Sequence, residues 1–247
     1  MLLNHTRRRS TRGTPPRLWR RQKILALAIA CTALSTGPGA ALAAGLPPVS
    51  QPPKPGPHWD LANLGNPRVD QWVHRFTGSL KAGFAVALSR EKAYREMISQ
   101  KLARRNMPQE LIYVAMIESN FNPRARSRAS AVGLWQFVAS TARRFGLTVS
   151  AHSDERINPA KSTDAALAYL DQLYQRFGSW YLAAAAYNAG PGRIASALRS
   201  VTHTQTGSDA DYYRVSSRLP AETRDYVPKI IAAARIAKNP QAYGFSL

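Results

Sequence analysis

At 247 residues, 45% of them hydrophobic, the chain can bury one sizeable core but leaves little room for a second full domain. Its single cysteine, Cys31, excludes an intrachain disulfide, and its five histidines show no spacing suited to a metal site. The formal charge of +20 implies an anionic partner, yet no zinc finger, ribonucleoprotein motif or helix-turn-helix pattern accompanies it, which argues against a nucleic-acid binder.

Residues 1–23 hold eight Lys or Arg and no acid, residues 24–34 (ILALAIACTAL) are apolar, and Ala41-Leu42-Ala43 supplies a small-x-small cleavage pattern. The stretch 1–43 is therefore read as a signal peptide. Eleven apolar residues are too few for a permanent membrane-spanning helix. Arg20-Arg21 invites a twin-arginine reading, but Gln22-Lys23 follows where a bulky apolar residue belongs, and the general secretory route is preferred. Ala28-Ile29-Ala30-Cys31 resembles a lipoprotein box in which Ala28 stands where Leu is usual, so a membrane tether arises only if Cys31 is lipidated. Soluble export, with Cys31 discarded in the leader, is the favoured reading. Removing residues 1–43 takes away eight positive charges and no negative one, leaving +12. Residues 44–57 follow as a linker, since the run GLPPVSQPPKPGP is too rich in proline for a helix or a central strand.

From residue 58 to 247 the periodicity is helical, with no convincing strand alternation, and predicts one all-α domain. Arg90 to Arg105 reads as a single amphipathic helix with Ala93, Met97 and Ile98 inward, broken at Asn106-Met107-Pro108. A second helix begins near Gln109. Leu111, Val114 and Ala115 stand seven, four and three positions before Glu118, which turns that carboxyl toward a buried stripe. Burial and the negative pole of a helix C-terminus both oppose ionisation, a combination suited to a general acid. The plainer alternative is a helix-end Glu capping the Ser119 or Asn120 amide. Arg124, Arg126 and Arg128 alternate through the following loop, either lining a groove for an acidic ligand or standing as a solvated face. Fifteen residues after Glu118 comes a Gly133-Leu134-Trp135-Gln136 turn.

A further helix follows Asn158-Pro159, with Ala166, Leu170, Leu173, Tyr174 and Phe177 at helical spacing and Gly178 as its stop. Ser179 then caps the Ala-rich run WYLAAAAYNAG, whose small side chains let neighbouring helices approach, and Gly190-Pro191-Gly192 ends it. Pro220 opens the last long helix, with Val227, Ile230, Ile231 and Ala234 on its inner face.

Four ordered segments carry a resemblance. Glu118-Ser119 followed by Asn122-Pro123 is similar to the catalytic Glu-Ser motif of the lysozyme-like lytic transglycosylases, and Gly133-Leu134-Trp135-Gln136 to their Gly-Leu-Met-Gln motif with Trp in place of Met. Ala186-Tyr187-Asn188-Ala189-Gly190 is similar to their Ala-Tyr-Asn-x-Gly motif, and Glu222-Thr223-Arg224-Asp225-Tyr226-Val227 to the C-terminal segment that supplies a tyrosine to the active site. The runs RNMPQELIYVAMIESNFNP and LPAETRDYVPK most resemble the D branch of the membrane-bound members.

The resemblance implies a lysozyme-like, goose-type helical fold, a peptidoglycan substrate and cleavage of the bond between N-acetylmuramic acid and N-acetylglucosamine with 1,6-anhydro ends. It implies no metal, no cofactor and a monomer in the periplasm or cell envelope. Glu118 would be the catalytic acid and base. Ser127 would hydrogen-bond the sugar, unless it is a plain turn serine. Gln136 would bond sugar or backbone, and Trp135 would either stack on a sugar or fill core. Tyr187 and Asn188 would face the cleft, and Tyr226 would orient Glu118, with a buried, satisfied tyrosine as its competitor. No second acid lies near Glu118 at motif level, so a hydrolytic muramidase would have to recruit Asp154 or Glu155 to position water. The remaining alternative is a peptidoglycan-binding protein without activity.

Overall fold

The sequence folds, in a computed structural model, into ten α-helices with no strand among the described residues, 66–246. The signal stretch 1–43 with Cys31, the linker 44–57 and His58 lie outside them. α1 (Pro67–Thr77) starts where the Asn66 side chain accepts the Arg68 amide at 2.9 Å and Pro67 fills the first turn, and it buries Val69, Trp72 and Phe76. The stretch expected as one helix from Arg90 to Arg105 is two. α2 (Lys81–Glu91) ends in a tight turn and α3 (Arg95–Arg104) restarts after it. Glu91 is buried at this corner, the Tyr94 ring stacks on Phe121 at 6.4 Å, and Ala93, expected inward, is exposed.

A 3-10 turn, Gln109–Leu111, leads into α4 (Ile112–Ser119), with Leu111, Val114 and Ala115 fully buried. After the short α5 (Ala139–Arg144) comes α6 (Pro159–Phe177), capped by Asn158 accepting the Lys161 amide and closed by Gly178 at φ +76°. α7 (Trp180–Ala189) is capped by Ser179 accepting the Leu182 amide, and its buried Ala183 to Ala186 allow α6, α8 (Pro191–Thr202), α9 (Asp209–Val215) and α10 (Ala221–Lys238) to pack around it. α10 also covers α1 and α4, so the two chain segments that carry Glu118 and Tyr226 pack together.

Proline at 228 lies inside α10. Its ring nitrogen cannot donate to the Arg224 carbonyl four residues back. The buried Tyr212 hydroxyl of α9 takes that place, 2.8 Å from the Arg224 oxygen and 3.1 Å from the Thr223 oxygen. Tyr212→Phe should therefore lower stability by about 1–3 kcal/mol in denaturant titration, the range for stranding a buried carbonyl. Adding Pro228→Ala should recover part of it, since alanine supplies the missing amide. A Tyr212→Phe protein as stable as the parent would refute this account.

Candidate active site

Glu118 occupies the last turn of α4, where Asn120 and Phe121 both take left-handed φ near +52° and stop the helix. The Tyr226 hydroxyl, reaching across 108 residues of sequence, donates to the Glu118 Oε1 at 2.6 Å. As a residue Glu118 retains some exposure, which leaves its proton reachable, while the protein mass around the carboxyl is dense. Burial is the largest influence on its pKa and pushes it up to about 7; the Tyr226 hydrogen bond opposes, the Glu222 charge adds to the rise, and the Lys229 charge opposes. Such a carboxyl holds its proton up to neutrality and can still surrender it.

Ser119 joins this helix end to the glycine turn. Its hydroxyl donates to the Leu134 carbonyl at 2.8 Å and accepts the Asn122 amide at 3.2 Å. The Tyr187 hydroxyl of α7 donates to the next carbonyl, Trp135, at 2.8 Å, and its ring lies between Tyr169 and Phe137. Two adjacent carbonyls of the turn are thus fixed by side chains from two helices. Burial and the Glu118 charge hold the Tyr187 phenol well above its ordinary range, so it stays a hydrogen-bond donor.

Gly133, at φ +90°, lies directly against the chain at Arg156. Arg156 is the clasp of this region: it forks onto both Asp154 oxygens at 2.8 Å and donates to the Ser130 and Phe137 carbonyls at 3.0 and 3.1 Å. Gln136, at φ +49°, turns its amide nitrogen back to the Gly133 and Ala125 carbonyls at 2.9 and 3.3 Å. Ser127 accepts the Ala131 amide at 3.0 Å, which leaves its hydroxyl proton for another acceptor. Arg124, Arg126 and Arg128 are exposed on this loop.

Two placements bear on alternatives that the sequence left open. Trp135 has 0% exposure and its indole N–H donates to the Thr163 hydroxyl at 2.9 Å, so it fills core and offers a sugar no ring face. Asp154 and Glu155 are also committed, the first to Arg156 and the second to Lys161 and the Thr148 amide. The carboxylate whose charge reaches Glu118 is Glu222, one helical turn before Tyr226. The cue was the spacing of four on α10, which sets Glu222 on the tyrosine's face. Asn188 ties α7 to the start of α10, accepting the Thr223 hydroxyl at 2.9 Å and donating to Glu222 at 3.4 Å.

Residues 96–209 match the family described as the transglycosylase SLT domain. The chain is 40% identical over 159 residues to membrane-bound lytic murein transglycosylase D of Escherichia coli K12, covering 64% of this chain and 34% of that protein. To the soluble lytic murein transglycosylase of the same strain it is 29% identical over 181 residues, 70% of this chain and 26% of the relative. The crystal structure of the 70 kDa soluble lytic transglycosylase from Escherichia coli superposes with a TM-score of 0.50 at 25% identity, covering 62% of this chain and 25% of that one. The chain thus spans about a third or less of these relatives' length. Sequence and fold thus agree: residues 96–209 are similar to the transglycosylase SLT domain, and the chain has the all-helical, lysozyme-like framework of the soluble lytic transglycosylase.

Proposed function

We propose that the protein is a peptidoglycan lytic transglycosylase that cleaves the β-1,4 bond between N-acetylmuramic acid and N-acetylglucosamine. The observation that carries this reading is the Glu118 carboxyl, pushed up to about 7 by burial and held by the Tyr226 hydroxyl. In the first step Glu118 gives its proton to the glycosidic oxygen as the bond from that oxygen to C1 breaks, and N-acetylglucosamine leaves as an alcohol. The N-acetyl group of the muramic residue stabilises the cation at C1. Its C6 hydroxyl then attacks C1, and Glu118, now a carboxylate, takes the hydroxyl proton. The proton inventory closes, no water is consumed, and a 1,6-anhydro end results. Tyr226 orients the acid in both steps. Ser127 keeps a donor for the sugar.

A hydrolytic variant of the reaction calls for a carboxylate free to position water. The engagement of Asp154 with Arg156 and of Glu155 with Lys161 favours the non-hydrolytic course. Mass spectrometry of muropeptides released from purified sacculi decides: each transglycosylase end is lighter than a hydrolysed end by one water, and products carrying that water would overturn the reading.

The proposal extends to placement. The substrate lies outside the cytoplasm, and residues 1–43 read as an export signal, so the protein acts as a soluble monomer in the periplasm or cell envelope. N-terminal sequencing of the exported protein should begin at Ala44. A blocked terminus at Cys31 with incorporated palmitate would instead place it on a membrane.

A further inference from the structure

Lys229 is a buried cation that the chemistry above leaves without a task. It has 6% exposure, and its ammonium lies 4.5 Å from the ring centroid of Trp72, itself 7% exposed, in the contact between α10 and α1. Its direct contact is a ring face rather than a carboxylate. On α10, Glu222, Asp225, Tyr226 and Lys229 follow the spacing that puts residues on one helix face. The acids on that face have other partners: Asp225 pairs with Arg68 of α1 at 3.4 Å, and Glu222 accepts from Asn188 of α7. Lys229 therefore stands one turn beyond Tyr226, the residue that touches Glu118. An ammonium buried at a helix–helix contact costs desolvation that a methionine of similar length would avoid.

We propose that Lys229 is an electrostatic positioning residue for the Glu118–Tyr226 pair, its ammonium held on Trp72 so as to balance the negative charge that Glu118 bears between its two proton transfers. The assignment rests on the acid-then-base role proposed for Glu118. Burial, the largest influence, holds the Lys229 pKa below its ordinary value; Asp225, Glu222 and Glu118 oppose that fall and Arg75 of α1 adds to it, so Glu118 is one of three carboxylates that favour the charged ammonium. In return Lys229 draws Glu118 toward its ionised form against burial and Glu222. The Tyr187 and Tyr226 phenols also face Glu118 and stay protonated far above neutrality, so they answer its charge as hydrogen-bond donors only.

The test is a titration that needs no substrate. The full chain labelled with ¹³C at the glutamate side-chain carboxyls is titrated by NMR, with the Glu118 signal assigned by its loss in Glu118→Gln. Lys229→Met should raise the Glu118 midpoint by about half a pH unit or more, and Lys229→Arg should leave it near the parent value. Circular dichroism confirms that each variant is folded. Coupling is reciprocal, so Glu118→Gln should lower the Lys229 ammonium midpoint read from lysine ¹⁵Nζ labels, a measurement that stands even if Lys229→Met does not fold. On sacculi, the alkaline limb of the rate profile should move up with the Glu118 midpoint in Lys229→Met. A midpoint that stays put in folded Lys229→Met, or a Lys229 midpoint indifferent to Glu118→Gln, overturns the proposal. A shifted midpoint in a protein that releases no anhydro-muropeptide would sink the proposed reaction and leave the electrostatic coupling standing.

Discussion

Glu118→Gln should abolish anhydro-muropeptide release from sacculi while leaving the fold and sacculus binding near those of the parent. An amide can neither give nor take the proton, and general acid–base contributions are typically about 10²- to 10⁴-fold. The same substitution should change stability in a pH-dependent way. Glu118 has a folded pKa of about 7 against an ordinary value of 4.5, so the unfolded chain releases this proton more readily. Stability from the protonated carboxyl is then fully present below about pH 4.5 and is lost as pH rises toward 7. Glutamine does not ionise, so the variant should gain about 1–3 kcal/mol over the parent at pH 8 and little at pH 4. Parallel thermal melts at the two pH values check this. An active Glu118→Gln enzyme would overturn the acid–base role of Glu118, and a stability difference that ignores pH would overturn its raised pKa.

The second large effect is expected at Gly133. A Cβ there would stand 2.0 Å from the Arg156 carbonyl oxygen and 2.9 Å from its carbon, at a φ of +90°. The opposing backbone cannot retreat cheaply, because the Arg156 amide and guanidinium are both tied to Asp154, with further bonds to Ser130 and Phe137. Gly133→Ala should therefore cost about 3 kcal/mol or more, combining overpacking with backbone strain. Activity should fall further than the folded fraction, because Ser119 and Tyr187 bond the two carbonyls that follow this glycine. Urea titration beside a muropeptide assay separates the two losses. An unchanged midpoint would mean that the turn is not held as described.

How far the sequence discloses this architecture depends on the range of the forces involved. α6 was legible at both ends because its signals are local: Asn158 caps from within the same turn and Gly178 supplies the left-handed stop. The buried stripe leading to Glu118 was legible for the same reason. The break between α2 and α3 was not, because the helical period runs on through Ala93 and the turn is settled by Tyr94 meeting Phe121, a contact across the fold. The roles of Arg156 and Lys229 are likewise set by contacts across the fold. Nothing beside Arg156 announces that it will reach the Ser130 and Phe137 carbonyls, and Lys229 reads as an ordinary helix-surface charge until α1 brings Trp72 over it. Trp135 shows the limit of motif logic: its position in the turn suggested two roles, and the Thr163 hydroxyl on α6 draws its indole into the core.

The proline at 228 has a mechanical consequence. α10 runs from Ala221 to Lys238, but its ladder lacks a rung where Pro228 replaces an amide, and the connection passes sideways to Tyr212. The opening two turns, with Glu222, Thr223 and Tyr226, lie before that gap, and a largely buried stretch continues from it to Lys238. Loosening α9 should therefore weaken the turns of α10 that carry the tyrosine before the rest of that helix. The hold on Glu118 is thus braced at second hand, by a helix of seven residues whose tyrosine bonds the backbone just ahead of Tyr226.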